Sequence, residues 1–278
     1  MNNIIIKSFA KVNIGLQVRS KRLDGFHNIH TIFQEISLFD TIKIKKQKKG
    51  INFRSNVVWL KNDESNLCIK AYKKLSSIYN IGGINIDLFK NIPIYAGLGG
   101  GSSNAAVVLK GVNALYDLKL SNKELELIGS KIGADVPFFI EGKIQLGEGI
   151  GEKLTKINKK INGKFLLIVP KIKIDTSWAY NRVKNFLDKD KEFVNLSECL
   201  KKDFIPFEFF DNDFEKIIIP AYPEIGKIIK LLRENKARYA GLSGSGSTVF
   251  GIFDDESNAT LVESLIPNKH KTLIVDPI

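Results

Sequence analysis

The stretch Pro93–Ala106, PIYAGLGGGSSNAA, places four glycines among the five residues Gly97–Gly101, then Ser102, Ser103 and Asn104. Glycine has no side chain, so its backbone can approach a ligand closely and can adopt φ > 0. Directly before a helix, such a run leaves amide N–H groups free to point at an anion, and the helix dipole adds to the attraction. Ser102 and Ser103 add hydroxyls for phosphate oxygens or a phosphate-bound Mg²⁺. These types suggest a phosphate cradle over Pro93, Ile94, Tyr95, Ala96, Gly97, Leu98, Gly99, Gly100, Gly101, Ser102 and Ser103. It is not a P-loop, because the lysine of G-x-x-x-x-G-K-[ST] is missing. It is not the dinucleotide pattern G-x-G-x-x-G either, since Ser102 stands where the third glycine would be. The competing reading is a tight glycine turn with no ligand.

The flanking elements have to hold this loop. INIDLFKNIPI, residues 84–94, reads as a strand leading into it. Behind it, Ala105, Val108, Leu109, Val112 and Leu115 follow helical spacing from Ser102 onward. Ser121 and Glu124 form a capping box for a second helix that ends near Gly133. GADVPFFI then enters a strand, and GEGIGE is a glycine-rich turn.

Residues 10–18, AKVNIGLQV, alternate. Ala10, Val12, Ile14, Leu16 and Val18 point one way, and Lys11, Asn13, Gly15 and Gln17 the other. Asp-Gly in RLDGFH, Arg22 to His27, marks a loop between strands. Residues 63–79 read as an amphipathic helix, and TIKIKK as a strand. Further along come a buried strand KFLLIVP, a helix over 223–236 with Ile225, Ile228, Ile229 and Leu232 on one face, and RYAGLSGSGSTVFGIF as strand, turn and strand. A helix near 257–265 and a last strand TLIVD close the chain. Strands and helices mix without regular βαβ alternation, which predicts an α+β fold of two domains. The lysine-rich segment after Leu154 is the expected boundary, dividing residues 1–154 from 155–278.

At 278 residues and 44% apolar composition, the chain can bury real cores and is no disordered segment. Cys68 and Cys199 stand far apart in no metal-ligand spacing, which suits reduced thiols in a reducing compartment. Lys7 and Lys11 interrupt the apolar N-terminal residues, unlike a signal peptide, and no apolar stretch is long enough to span a membrane. A cytoplasmic protein is expected. The net charge of +12 is concentrated in KIKKQKK and KLTKINKKINGK. These runs hold no arginine and no aromatic ring for base stacking, so solvated faces are expected, and no nucleic acid. Attraction of polyanionic small substrates and RNA contact are the other readings.

The glycine run with its flanks, P-x-x-x-GLGGGSSNAA, resembles the phosphate-binding motif of the GHMP small-molecule kinases, named for galactokinase and for homoserine, mevalonate and phosphomevalonate kinases. AKVN at Ala10–Asn13, R-x-DGFH at Arg22–His27, GADVPFF at Gly133–Phe139 and SGSGST at Ser243–Thr248 follow in order. Together they are similar to the branch whose substrate is a cytidine-diphosphate-linked methylerythritol. Tyr95 stands where that family usually has glycine, and Phe26 where it usually has tyrosine.

The resemblance implies an N-terminal domain like a ribosomal-protein domain and a ferredoxin-like C-terminal domain. It implies an ATP- and Mg²⁺-dependent kinase of a small molecule, phosphorylating a 2-hydroxyl in the non-mevalonate isoprenoid route. It maps Asp135 onto the family's catalytic base and Lys11 onto a cation facing it across the site. Asn13 would bond the substrate's hydroxyls. Phe26, His27 and Tyr180 would hold the cytosine, the two rings as a clamp. The residues themselves leave alternatives open: Asp135 as a turn cap, Lys11 as an exposed strand lysine, and Phe26 and Tyr180 as core aromatics. No metal ligands are identified. Another small alcohol kinase, for homoserine or mevalonate, or an RNA-binding protein, are the alternative functions.

Overall fold

The computed structural model describes residues 1–183, 193–202 and 204–278. These form two compact units that interleave along the chain. Unit one holds Met1–Ala10, Leu38–Ile94 and Gly99–Gly142; unit two holds Lys11–Ser37, Tyr95–Leu98 and Lys143–Ile278. Strands β1 (Asn3–Lys21) and β2 (His27–Gln47) contribute residues to both.

In unit one, the second half of β2 pairs antiparallel with β4 (Gly83–Phe89), and β4 pairs parallel with β3 (Ile51–Ser55). Ile42 and Ile44 are buried while Lys43 and Lys45 are exposed, so KIKKQKK is a solvated strand face, as expected. Helix α1 (Leu67–Ser76) opens on Asn66, whose side chain accepts the amide of Cys68 at 2.9 Å. Helix α2 (Gly100–Tyr116) buries Ala105, Val108, Leu109, Val112 and Leu115, the spacing read from sequence. The Ser121–Glu124 capping box is present at the start of α3 (Asn122–Ser130).

Two segments differ from the sequence expectation. Residues 84–94 are not one strand: β4 stops at Phe89, because the amides of Lys90, Asn91 and Ile92 turn to side-chain acceptors instead of a ladder. GADVPFFI does not enter a strand either. Val136 donates to Gly133, Phe139 to Val136 and Ile140 to Pro137, and the chain continues as the short helix α4 (Phe138–Glu141). Pro137, at φ −55° and ψ −40°, is already helical, and its fixed φ favours that turn over extension.

In unit two, the first half of β2 pairs with β5 (Ile144–Glu148), which pairs with β6 (Lys153–Lys156). A second, antiparallel sheet has the order β10-β7-β9-β8, from β7 (Lys164–Val169), β8 (Tyr239–Leu242), β9 (Val249–Phe253) and β10 (Lys271–Val275). Helices α5 (Thr176–Val183), α6 (Leu196–Lys201), α7 (Glu215–Ala221) and α8 (Pro223–Glu234) lie between β7 and β8; α9 (Glu256–Leu265) lies between β9 and β10. That is a β-α-β-β-α-β order with strands arranged 4-1-3-2, the ferredoxin-like arrangement. Ile225, Ile228, Ile229 and Leu232 of α8 form its core with Leu166, Ile168, Val249 and Phe253. No described helix is long and apolar enough to cross a membrane.

Candidate active site

Unit one supplies the start of α2 and the turn that carries Asp135. Gly99, at φ +68°, caps α2 with no side-chain hydrogen bond, and no acidic residue stands in the first turn. The leading amides are thus offered no carboxylate or hydroxyl by the cap, the condition under which a helix N-terminus receives an anion. Ser102 is half-buried, and its hydroxyl lies 3.9 Å from where a Cβ on Gly133 would sit. The first turn of α2 therefore lies beside the Gly133–Pro137 turn. Asp135 is half-buried within that turn and does not cap α4, which opens on Pro137. Ser103 lies 1% exposed, its hydroxyl 2.7 Å from that of Ser8. Of the two serines, Ser102 is the one left accessible.

Unit two gathers residues from four distant segments. Lys11 and Asn13 were expected on the polar face of their strand, yet they are 4% and 1% exposed. Lys11 is thus no solvated strand lysine. Its ammonium donates to Asn13 Oδ1 at 2.5 Å and lies 5.2 Å from the ring centre of Phe33. Asn13 Nδ2 donates to Thr31 Oγ1 at 3.1 Å, and Thr31 donates to the carbonyl of Gly15. A Cβ on Gly244 would lie 3.4 Å from Asn13 Oδ1 and 3.9 Å from Lys11 Nζ, so the SGSGST turn rests on this pair. Ser243 Oγ donates to the carbonyl of Gly97, and Thr248 N to that of Ala96. AKVN, the start of the glycine run and SGSGST thus meet.

His27 is buried and stacks on Tyr180, with centroids 5.6 Å apart and planes 22° apart; Tyr180 also meets Phe214 edge-on at 4.9 Å. Phe26 is 58% exposed. Tyr180 is packed at the rim of the unit-two core, whereas Phe26 is not a core aromatic.

The family model described as the N-terminal domain of GHMP kinases matches residues 66–143, and that of the GHMP kinase C-terminal region matches residues 200–270. The chain belongs to the GHMP kinases. This GHMP kinase is 39% identical to 4-diphosphocytidyl-2-C-methyl-D-erythritol kinase of Clostridioides difficile, covering 99% of this chain and 95% of that protein. It is 37% identical to the protein of the same name from Pelodictyon phaeoclathratiforme, covering 100% and 98%. A crystal structure of 4-(cytidine 5'-diphospho)-2C-methyl-D-erythritol kinase superposes with TM-score 0.80 at 29% identity, over 99% of each chain. Homoserine kinase from Cytophaga hutchinsonii superposes with TM-score 0.74 at 19% identity, over 99% of this chain and 95% of that one, and so shares the fold.

Against that family pattern, Tyr95 is informative. It takes φ +59°, a left-handed conformation that glycine adopts without strain, and Lys173 lies 4.7 Å over its ring. Two groups escaped the sequence reading, Asp40 with Lys90 in unit one and Asn212 in unit two. Asn212 Nδ2 donates to the carbonyls of Leu242 at 2.9 Å and Gly244 at 2.8 Å, holding the SGSGST turn from behind. One signal was available for Asp40: it is a lone carboxylate inside the apolar strand ISLFDTI. Asn212 carries no such signal.

Proposed function

We propose that this GHMP kinase transfers a phosphoryl group from ATP to the 2-hydroxyl of 4-diphosphocytidyl-2-C-methyl-D-erythritol, giving ADP and the 2-phosphate, in the cytosol. The observation that carries the reading is full-length similarity, at 37–39% identity, to proteins of that name. The stacked His27–Tyr180 pair beside exposed Phe26 supports it, because a DGFH loop with free aromatic surface suits a nucleobase and is of no use to homoserine or mevalonate. The lysine runs are solvated faces, and no nucleic-acid partner is proposed. The domain division after Leu154 is proposed on its place between the two matched regions, although β6 runs across that point and the compact units interleave.

Phosphoryl transfer needs positioning and charge neutralisation more than covalent chemistry. Asp135 is the proposed general base, taking the proton of the attacking hydroxyl. Lys11, buried and oriented by Asn13, would offset charge on the acceptor oxygen. Asn13 would bond the substrate's hydroxyls, and the SGSGST turn would offer amides and hydroxyls near the transferred group. Residues 93–103 would cradle the phosphates of ATP.

Magnesium binds through one or two carboxylates plus nucleotide phosphates and keeps several waters. Among the described residues no group of three or more acidic, histidine or cysteine side chains is placed to hold a metal ion. Ser102, half-buried in unit one, would hold it together with the nucleotide phosphates and water. When bound, it neutralises charge on the phosphate oxygens.

Coupled detection of ADP release over a panel of alcohols tests the reading. Turnover is expected with the cytidyl substrate alone. Turnover with homoserine or mevalonate instead would reassign the chain within its family. No turnover, with a steeply salt-dependent RNA affinity, would overturn the kinase reading.

A further inference from the structure

We infer that Asp40 is a positioning residue for the loop at 93–103, acting through Lys90, Asn91, Ile92 and Asn104. The inference rests on reading that loop as the ATP cradle. Asp40 lies in β2 and is wholly buried. Its Oδ1 accepts the amides of Asn91 at 2.7 Å and Ile92 at 2.8 Å. Its Oδ2 accepts the ammonium of Lys90 and, at 2.8 Å, Asn104 Nδ2. Lys90 also donates to Asn104 Oδ1 at 3.2 Å, and Asn104 Nδ2 to Ser8 Oγ at 2.8 Å.

All of these groups belong to unit one, and they bracket the loop. Lys90–Ile92 is the segment that enters it, and Asn104 stands in the first turns of the helix that leaves it. One carboxylate pins both ends. Gly100 seals the arrangement: a Cβ there would lie 2.9 Å from Ile92 Cγ2 and 3.0 Å from Lys90 Nζ. This glycine makes room for the entering segment, a different use from close approach to a ligand.

Burying an ion pair is a poor way to gain stability, since apolar residues of similar volume usually do as well. Hydrocarbon cannot direct two amides and a carboxamide at once, and a carboxylate with about four acceptor sites can. Direction is what a phosphate cradle needs, because small misplacements of binding groups cost rate and affinity steeply.

The test separates position from stability. Lys90→Met alone leaves a buried carboxylate short of its cation and is expected to lower Tm. Asp40→Asn with Lys90→Met removes both charges and is expected to melt within about 4 °C of wild type. In that double variant, amide exchange at Asn91, Ile92 and residues 100–104 should rise ~10-fold or more, as expected for losing charge-assisted hydrogen bonds. KM for ATP should rise by a similar factor, with KM for the alcohol substrate within about twofold. Wild-type exchange and wild-type KM for ATP in the double variant would overturn the inference. So would faster exchange with an unchanged KM for ATP. Should the double variant not fold, Asp40→Asn alone carries the same two measurements. If wild type binds no ATP by calorimetry, the kinase reading fails separately, and loop exchange still decides whether Asp40 positions the loop.

Discussion

The hydroxyl of Ser243 donates to the carbonyl of Gly97 at 2.8 Å, joining two glycine-rich segments that lie 146 positions apart. Gly97 takes φ +75°, and a Cβ there would meet the carbonyl oxygen of Ser243 at 2.2 Å. Gly97→Ala is therefore expected to cost about 3 kcal/mol or more, from a left-handed alanine plus a backbone clash. Ser243→Ala, which removes only the hydrogen bond, should cost about 1 kcal/mol. Thermal melts of the two variants check the ratio; equal small shifts would mean that the two turns are not tightly seated.

Asp135→Asn should remove turnover while nucleotide binding survives. Amide and carboxylate are nearly isosteric, and a positioned general base is worth ~10²–10⁴ in rate. Near wild-type kcat in a folded variant would sink the assignment. Lys11→Met should also lower kcat. Because Lys11 is buried against Asn13 and Phe33, its melt must be read beside its kinetics.

Gly101 offers the cleanest probe of the cradle. A Cβ there would meet only Leu67 Cδ1, at an ordinary 3.6 Å, so the fold has room for Gly101→Ala. A side chain facing the phosphates should nevertheless weaken ATP binding, and Gly101→Val should weaken it further. Calorimetry decides this; unchanged affinity in both variants would return the run to a turn that binds nothing. Gly99→Val is less discriminating, because φ +68° there disfavours any branched residue.

At the cytidyl end the structure separates the two rings. Phe26→Ala removes an exposed ring, so Tm should hold while KM for the cytidyl substrate rises roughly ten-fold, a stacked base being worth ~1–3 kcal/mol. Tyr180→Ala should raise the same KM and also lower Tm, since Tyr180 packs on His27 and Phe214. KM for ATP should hardly move in either. Equal losses for both substrates would assign these rings to the core alone.

Glu215 supplies a pH dependence. Burial pushes its carboxyl from 4.5 up to about 7, against a backbone hydrogen bond from Leu242 and the nearby Arg233, which pull it down. The folded chain thus holds a proton that the unfolded chain releases between about pH 4.5 and 7. The contribution is full below that window and is lost as pH rises through it. Glu215→Gln, neutral throughout, should melt above wild type at pH 8 by an amount worth about 1–3 kcal/mol. The difference should vanish below about pH 4.5. A difference independent of pH would show that Glu215 does not titrate in this range.

Local features of this chain could be read directly from residue order. The strand over Ala10 to Val18, though not its single buried face, the helical spacing behind Ser102, and the Ser121–Glu124 box are each set by neighbours within a few positions, and each formed as read. The family could be read as well, because five short motifs stand in the chain in the order that the resemblance requires. Where local signals competed, the reading failed. Apolar residues in GADVPFFI suggested a strand, but Pro137 and the amide bonds of the turn selected a helix. The tertiary structure alone decided that the polar side of β1 is buried, that Gly97 is glycine in order to pack on Ser243, and that Asp40 holds Lys90 and Asn104. Residue spacing carries no record of these partners, which lie tens to hundreds of positions apart. They meet only once the sheets have brought them together, and the cost of burying each polar group then requires that a partner be there.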